Sequence, residues 1–164
     1  MTPAVIFGSL NVAKSIAEYL GLIESTNSLL KKLVHQAFKA AQSNLEHAYN
    51  SSGATQMDYL RQARNEFNQA VGIEDNEAKI YALLGLAMCQ HFLRDEVNAQ
   101  NTMHKIQGVE LSRSEIFKYG MMSSVGFPGS EILGELLGIP NTYGALYFRK
   151  FIFNAIKENA LATK

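Results

Sequence analysis

Residues 56–93, QMDYLRQARNEFNQAVGIEDNEAKIYALLGLAMCQHFL, decide the fold class. Leu60, Ala63, Phe67, Ala70 and Val71 recur at steps of three and four, the spacing that lines up one face of an α-helix, so a helix is predicted over about 56–72. Ile73-Glu74-Asp75-Asn76 interrupts the pattern with residues that favour turns, and either Asp75 or Asn76 has the side-chain oxygen needed to cap a new helix. That next helix runs through Ile80, Leu83, Leu84, Ala87 and Met88 to about residue 93. Two amphipathic segments joined by a short polar break read as a helical hairpin, not as strands.

The same periodicity extends in both directions. Toward the N-terminus, Ile6, Leu10, Ala13, Ala17 and Leu20 form one apolar line, and Val12, Ile16, Tyr19 and Ile23 form a second, which predicts a core helix over 4–23. Gly21 and Ser25-Thr26-Asn27-Ser28 stop it and cap a second helix, 28–49, marked by Leu30, Val34, Ala37, Ala41, Leu45 and Ala48. Toward the C-terminus, a helix over 95–107 carries Val97, Met103 and Ile106. Ser112-Arg113-Ser114-Glu115 has capping-box spacing and opens another. Gly126-Phe127-Pro128-Gly129 is a loop, followed by a short helix over 130–137, a stop at Gly138-Ile139-Pro140, and a last helix over 142–161. The expectation is an all-α single domain, 1–164, of about eight helices in antiparallel hairpins. It divides into long N-terminal helices (1–55), a central hairpin region (56–107) and C-terminal helices (108–164). Ala4-Val5-Ile6-Phe7 is the one stretch ambiguous between strand and helix.

Composition narrows the function classes. The 164 residues are 47% apolar and 18% charged, as in a folded globular chain, and no apolar run approaches the ~20 residues of a membrane span. Fifteen basic and fifteen acidic residues leave no net field to draw in a phosphate backbone, so nucleic acid is not an expected partner. A single cysteine, Cys89, cannot form an intramolecular disulfide, and no positive charge precedes Lys14. No secretory signal is therefore expected, and a cytoplasmic setting fits.

The central region resembles tetratricopeptide-type (TPR-like) helical hairpins over residues 56–107. Ala63, Phe67 and Ala70 match the second helix of that repeat, Tyr81, Leu84, Gly85 and Ala87 the first helix of a following unit, and Ala99, Met103 and Ile106 its second helix. Met103 and Ile106 stand where an aromatic and an alanine are usual. The turn at 92–96 is about two residues longer than the family's, the closing proline is absent at Asp75-Asn76, and the helix at 28–49 exceeds a standard unit. The resemblance implies close helix approach at Gly85 and a concave groove for peptides or partner proteins, completed by the terminal helices.

Candidate chemistry is sparse. Gly8-Ser9-Leu10-Asn11-Val12-Ala13-Lys14-Ser15 is one residue from a phosphate-binding P-loop, but Ala13 replaces the glycine before lysine and the stretch keeps helical periodicity, so nucleotide binding is not expected. His35, His47, Cys89, His91 and His104 fall in no metal-binding spacing; Cys89 and His91 point about 200° apart on a helix. Glu74, Asp75 and Glu77, with Asp95 and Glu96, are explained by capping at helix starts. The Gly126–Ser130 loop could line a small-molecule pocket, although turn chemistry also accounts for it. On the last helix, Leu146 and Phe153 fall among Arg149, Lys150 and Lys157. Leu146, Lys150, Phe153 and Lys157 are therefore the expected interaction surface, for a protein or peptide partner or a homodimer. No cofactor, metal or catalytic residue is expected. The leading function is a non-enzymatic helical adaptor or assembly subunit. The alternatives are a small-molecule binder or enzyme with a site near 126–130, and a membrane-surface protein anchored by its N-terminal helix, although membrane contact is not favoured.

Overall fold

The computed structural model describes residues 12–24, 31–33, 35–109 and 112. Within them lie five helices: α1 (Val12–Glu24), α2 (Gln36–Tyr49), α3 (Gly53–Ala70), α4 (Asn76–Phe92) and α5 (Glu96–Gln107). They pack antiparallel in chain order, α2 on α3, α3 on α4 and α4 on α5, and α1 lies across α2 and α4. Among the described residues there is no strand. The expected helices beyond residue 112, the 126–129 loop and the ambiguous 4–7 stretch lie outside the described residues.

The hairpin α2–α3 is built from two matching stripes. Phe38, Ala41, Leu45 and Ala48 are fully buried on α2, and Leu60, Ala63, Phe67 and Ala70 on α3, each stepping three, four, three and alternating large with small. Its turn is closed by side chains that satisfy the carbonyls a helix end leaves over. Asn50 Nδ2 donates to Glu46 O (3.0 Å), Ser51 Oγ to His47 O (2.7 Å), and Gln56 Nε2 reaches back from α3 to Ala48 O (3.0 Å) and Ser51 O (3.1 Å). Gly53 opens α3 at φ +60°, a backbone geometry that suits glycine.

α4 is the central element. From Glu77 to Cys89 only Lys79 is not buried, so α4 has no solvent-facing stripe over those turns. Asp75 caps it, its carboxylate accepting from the Ala78 N–H at 2.8 Å. Gly85 is the point of closest approach to α3: a Cβ there would stand 2.5–2.8 Å from three ring atoms of Phe67. The Phe67 ring is fixed in turn by edge-to-face contacts with Tyr19 (centroids 5.7 Å apart, 83°) and Phe38 (5.6 Å, 82°). The expected contact between Gly85 and the helix bearing Ala63, Phe67 and Ala70 is thus present.

The α4–α5 turn explains its extra length. Arg94 N–H donates to His91 O (2.9 Å) and Asp95 N–H to Gln90 O (2.8 Å), the paired bonds of a Schellman motif, with Arg94 at φ +64° in the position that glycine usually fills. Thr102 Oγ1 donates to Gln90 Oε1 at 2.7 Å and ties the two helices further along.

Three sequence expectations need correction. The helix expected over 28–49 is interrupted: Lys31 and Lys32 are helical, Leu33 and His35 are not, and His35 has an extended ψ of 128° before α2 begins at Gln36. No Gly or Pro marks this break. Tertiary contacts account for it, because Leu33 is buried and Lys32 is tied to the start of α4. Along α2 the expected Ala41, Leu45 and Ala48 are fully buried; Phe38 joins them, and Ala37 packs against the core only partly buried. In α1 the line Ile16, Tyr19 and Ile23 is buried while Ala17 is exposed, and in α5 Val97 is 73% exposed while Ala99, Met103 and Ile106 are buried.

Two stability changes follow. Gly85→Ala is expected to lower stability by about 2–3 kcal/mol, since its Cβ meets a ring with no free direction, and Phe67→Leu in the same chain to recover part of that loss; urea unfolding of the four variants of the cycle measures it. Arg94→Gly relieves the left-handed strain and is expected to raise stability by about 0.5–1 kcal/mol, visible as a melting shift of about 2 °C.

Candidate functional site

The titratable groups nearest the core serve the scaffold. Tyr19 Oη donates to the Tyr81 carbonyl of α4 at 2.8 Å, and burial pushes the phenol well above its ordinary range, so it stays a donor at physiological pH. Cys89 is completely buried, and burial likewise raises its thiol far from any reactive range. Glu77, one of the acidic residues assigned to capping, is 2% exposed and pairs with Lys32 at 3.1 Å, while Asp75 lies 3.4 Å from the same ammonium. Burial acts to lower the Lys32 ammonium, but the Glu77 and Asp75 carboxylates outweigh it and hold it above an ordinary lysine. This pairing joins residues 45 positions apart, which no local spacing reveals.

The other sequence candidates separate clearly. Lys14 and Ser15, the end of the P-loop-like stretch, sit inside α1, with Ser15 buried and Lys14 exposed 4.0 Å from Glu18 one turn on. Cys89 and His91 occupy the buried last turns of α4. His35, His47 and His104 are exposed, His47 stacked on Tyr59 at 5.1 Å. Among the described residues no three His, Cys, Asp or Glu side chains gather as a metal site. The apolar line of α1 that a membrane anchor would use, Ile16, Tyr19 and Ile23, is packed in the core. Among the described residues no helix is long and apolar enough to cross a membrane. The Gly126–Ser130 loop and the expected surface of Leu146, Lys150, Phe153 and Lys157 lie outside the described residues.

The arrangement that sequence spacing missed is a cleft of about 460 Å³ between the first turns of α4 and the end of α5. Val71, Leu83 and Val109 give it apolar walls, Gly108 leaves space at one edge, and Asn76, Lys79 and Lys105 supply its polar groups. Among the described residues its lining holds two cations and no carboxylate. The two lysines lie 26 positions apart on helices that run antiparallel, so only the hairpin turn brings them to one opening.

No family model matches the chain, and no match is found among curated proteins or among solved structures. The paired hairpins are accordingly a description of fold, with no family assigned.

One carboxylate in the α2–α3 hairpin has a measurable consequence. Glu66 Oε1 accepts from Asn44 Nδ2 at 2.6 Å, but Oε2 is buried without a hydrogen bond. Burial raises the carboxyl, and the Asn44 bond pulls it back only in part. A carboxyl raised in the folded state favours folding below its unfolded value of about 4.3, and that contribution is lost as pH rises through the folded value. Glu66→Gln keeps the acceptor for Asn44 and removes the charge. It is expected to raise the melting temperature at pH 7, with the gain vanishing below about pH 4; a loss of equal size at both pH values would contradict this reading.

Proposed function

We propose that the chain is a non-enzymatic helical adaptor or assembly subunit, a degenerate TPR-like pair of hairpins that works by contacting a protein or peptide partner. The observation that carries this reading is the stacking of α2–α3 on α4–α5 through Gly85 and Phe67, which is how repeat hairpins build an extended scaffold from units that cannot bury their own faces. The roles of the interior polar groups agree with it. Tyr19, Lys32, Asp75 and Glu77 hold helices to one another, and Cys89 fills core space. The side of the hairpins formed by α2 and α4 already carries α1, so a partner on this reading meets the remaining faces and the hairpin ends.

A photo-crosslinking amino acid placed singly at exposed Asn65, Val97 and Lys105 in the cells that produce the protein tests the proposal. A discrete crosslinked protein from one face, including a second copy of this chain, is the expected outcome. Equal, diffuse labelling from all three positions, or none from any, would overturn it.

A further inference from the structure

We propose that the cleft between α4 and α5 binds an acidic peptide segment, with Lys79 and Lys105 taking carboxylates and the Val71, Leu83 and Val109 walls taking the apolar side chains between them. This rests on the adaptor reading and names the partner chemistry for one place on the scaffold.

Three observations converge on the cleft. The first is charge: among the described residues its lining contains Lys79 and Lys105 and no acidic residue. Of the acidic residues at the α4 start, Asp75 and Glu77 are directed to Lys32, and Glu74 is not part of the lining. The second is the state of Lys79. Two of the described lysines are half-buried; Lys32 holds two carboxylates, whereas the Lys79 ammonium has neither an ion pair nor a hydrogen bond among the described residues. A partly desolvated cation without a counter-charge gains more from a bound carboxylate than an exposed one does, because the surrounding dielectric is lower. The third is the mixture of walls. The Asn76 side-chain amide, also without a hydrogen bond among the described residues, offers a donor and an acceptor beside the lysines, as an extended peptide backbone requires. Val71, Leu83 and Val109 supply apolar surface that a small inorganic anion would leave uncovered. Charge and walls together select a segment in which acidic and apolar residues alternate.

The probe is a synthetic, end-blocked peptide, Val-Glu-Leu-Glu-Val, titrated into the 15N-labelled full chain and followed by amide chemical shifts, with Val-Gln-Leu-Gln-Val as the uncharged control. Saturable shifts at Asn76, Lys79, Leu83, Lys105 and Gly108 are expected, with the glutamine peptide at least about tenfold weaker. Lys79→Gln combined with Lys105→Gln is expected to weaken the acidic peptide by a similar factor while leaving the melting temperature in place. Inorganic phosphate serves as a third arm, and shifts as strong with phosphate as with the peptide would overturn the proposal in favour of simple anion binding. Equal shifts from both peptides, shifts confined to other faces, or none at millimolar peptide would also overturn it. If the crosslinks from Asn65 or Val97 persist while the cleft stays silent, this proposal fails and the adaptor reading stands; if both fail, so does that reading.

Discussion

The ring of Phe67 resting on the bare backbone of Gly85 is the contact on which the other helices depend. Phe67 belongs to α3, Gly85 to α4, and the two other aromatic rings that hold Phe67, Tyr19 and Phe38, come from α1 and α2. One side chain of α3 therefore meets three of the other four described helices. Each edge-to-face pair contributes about 0.5–1.5 kcal/mol beyond its buried area, but the geometric effect is larger than that sum. With the ring wedged from two sides, the distance between α3 and α4 is set by the absence of a Cβ at residue 85. The apolar sequence of α4 follows from the same constraint, because a helix approached this closely by α3, paired with α5 and crossed by α1 has little surface left for polar side chains.

The attachment of α1 is the second tier of this design. Ile16, Tyr19, Leu22 and Ile23 supply its apolar face, and the Tyr19 hydroxyl donates to the carbonyl of Tyr81, one helical turn before Gly85. A buried donor would be costly if left unmade, so that bond fixes the rotation and height of α1 relative to α4. Further along the chain Lys32 is held by Glu77 and Asp75 at the start of α4. Because Glu77 is buried, removing the lysine would leave a carboxylate with little water to replace it, and such pairs define position more than they add net stability. The two anchors, one on α1 and one ahead of α2, tie the N-terminal part of the chain to α4.

How far the sequence anticipates this arrangement differs by interaction range. Within a helix, spacing is informative: Leu60, Ala63, Phe67 and Ala70 were readable as one buried line, Asp75 as a cap, and Gly85 as a close-approach point. Features set by contacts distant in sequence were not. The interruption after Lys32 carries no Gly or Pro, so periodicity runs through it, and the line it gives holds the buried Ala41, Leu45 and Ala48 but omits Phe38, which is buried as well. Glu77 looked like an ordinary acidic residue of a first helical turn, since its counter-ion lies in another element. Val97 fits the apolar spacing of α5 yet is exposed, which a pattern of one helix cannot distinguish from burial. At Arg94 the turn geometry is set by backbone bonds to Gln90 and His91, and the residue bearing the positive φ gives no hint of it. The cleft belongs to the same class, because Lys79 and Lys105 become neighbours only when α4 and α5 close.

The distribution of charge over the described residues then has a physical asymmetry. Several charged groups partly withdrawn from water have a partner: Glu77 with Lys32, Asp75 with Lys32 and the Ala78 amide, and one oxygen of Glu66 with Asn44. Lys79 is withdrawn to an intermediate degree, on the same helix as Glu77, and the described polar side chains that line the cleft with it are another lysine and an asparagine. Neither of those side chains supplies a counter-charge. The fold elsewhere pairs such groups across as many as 45 residues, so chain connectivity does not prevent pairing here. A carboxylate brought from another molecule would complete at Lys79 and Lys105 the pattern that Lys32 completes internally. On the adaptor proposal, that arrangement favours the α4–α5 opening over the exposed polar faces of α3 and α5 as the place for an acidic partner.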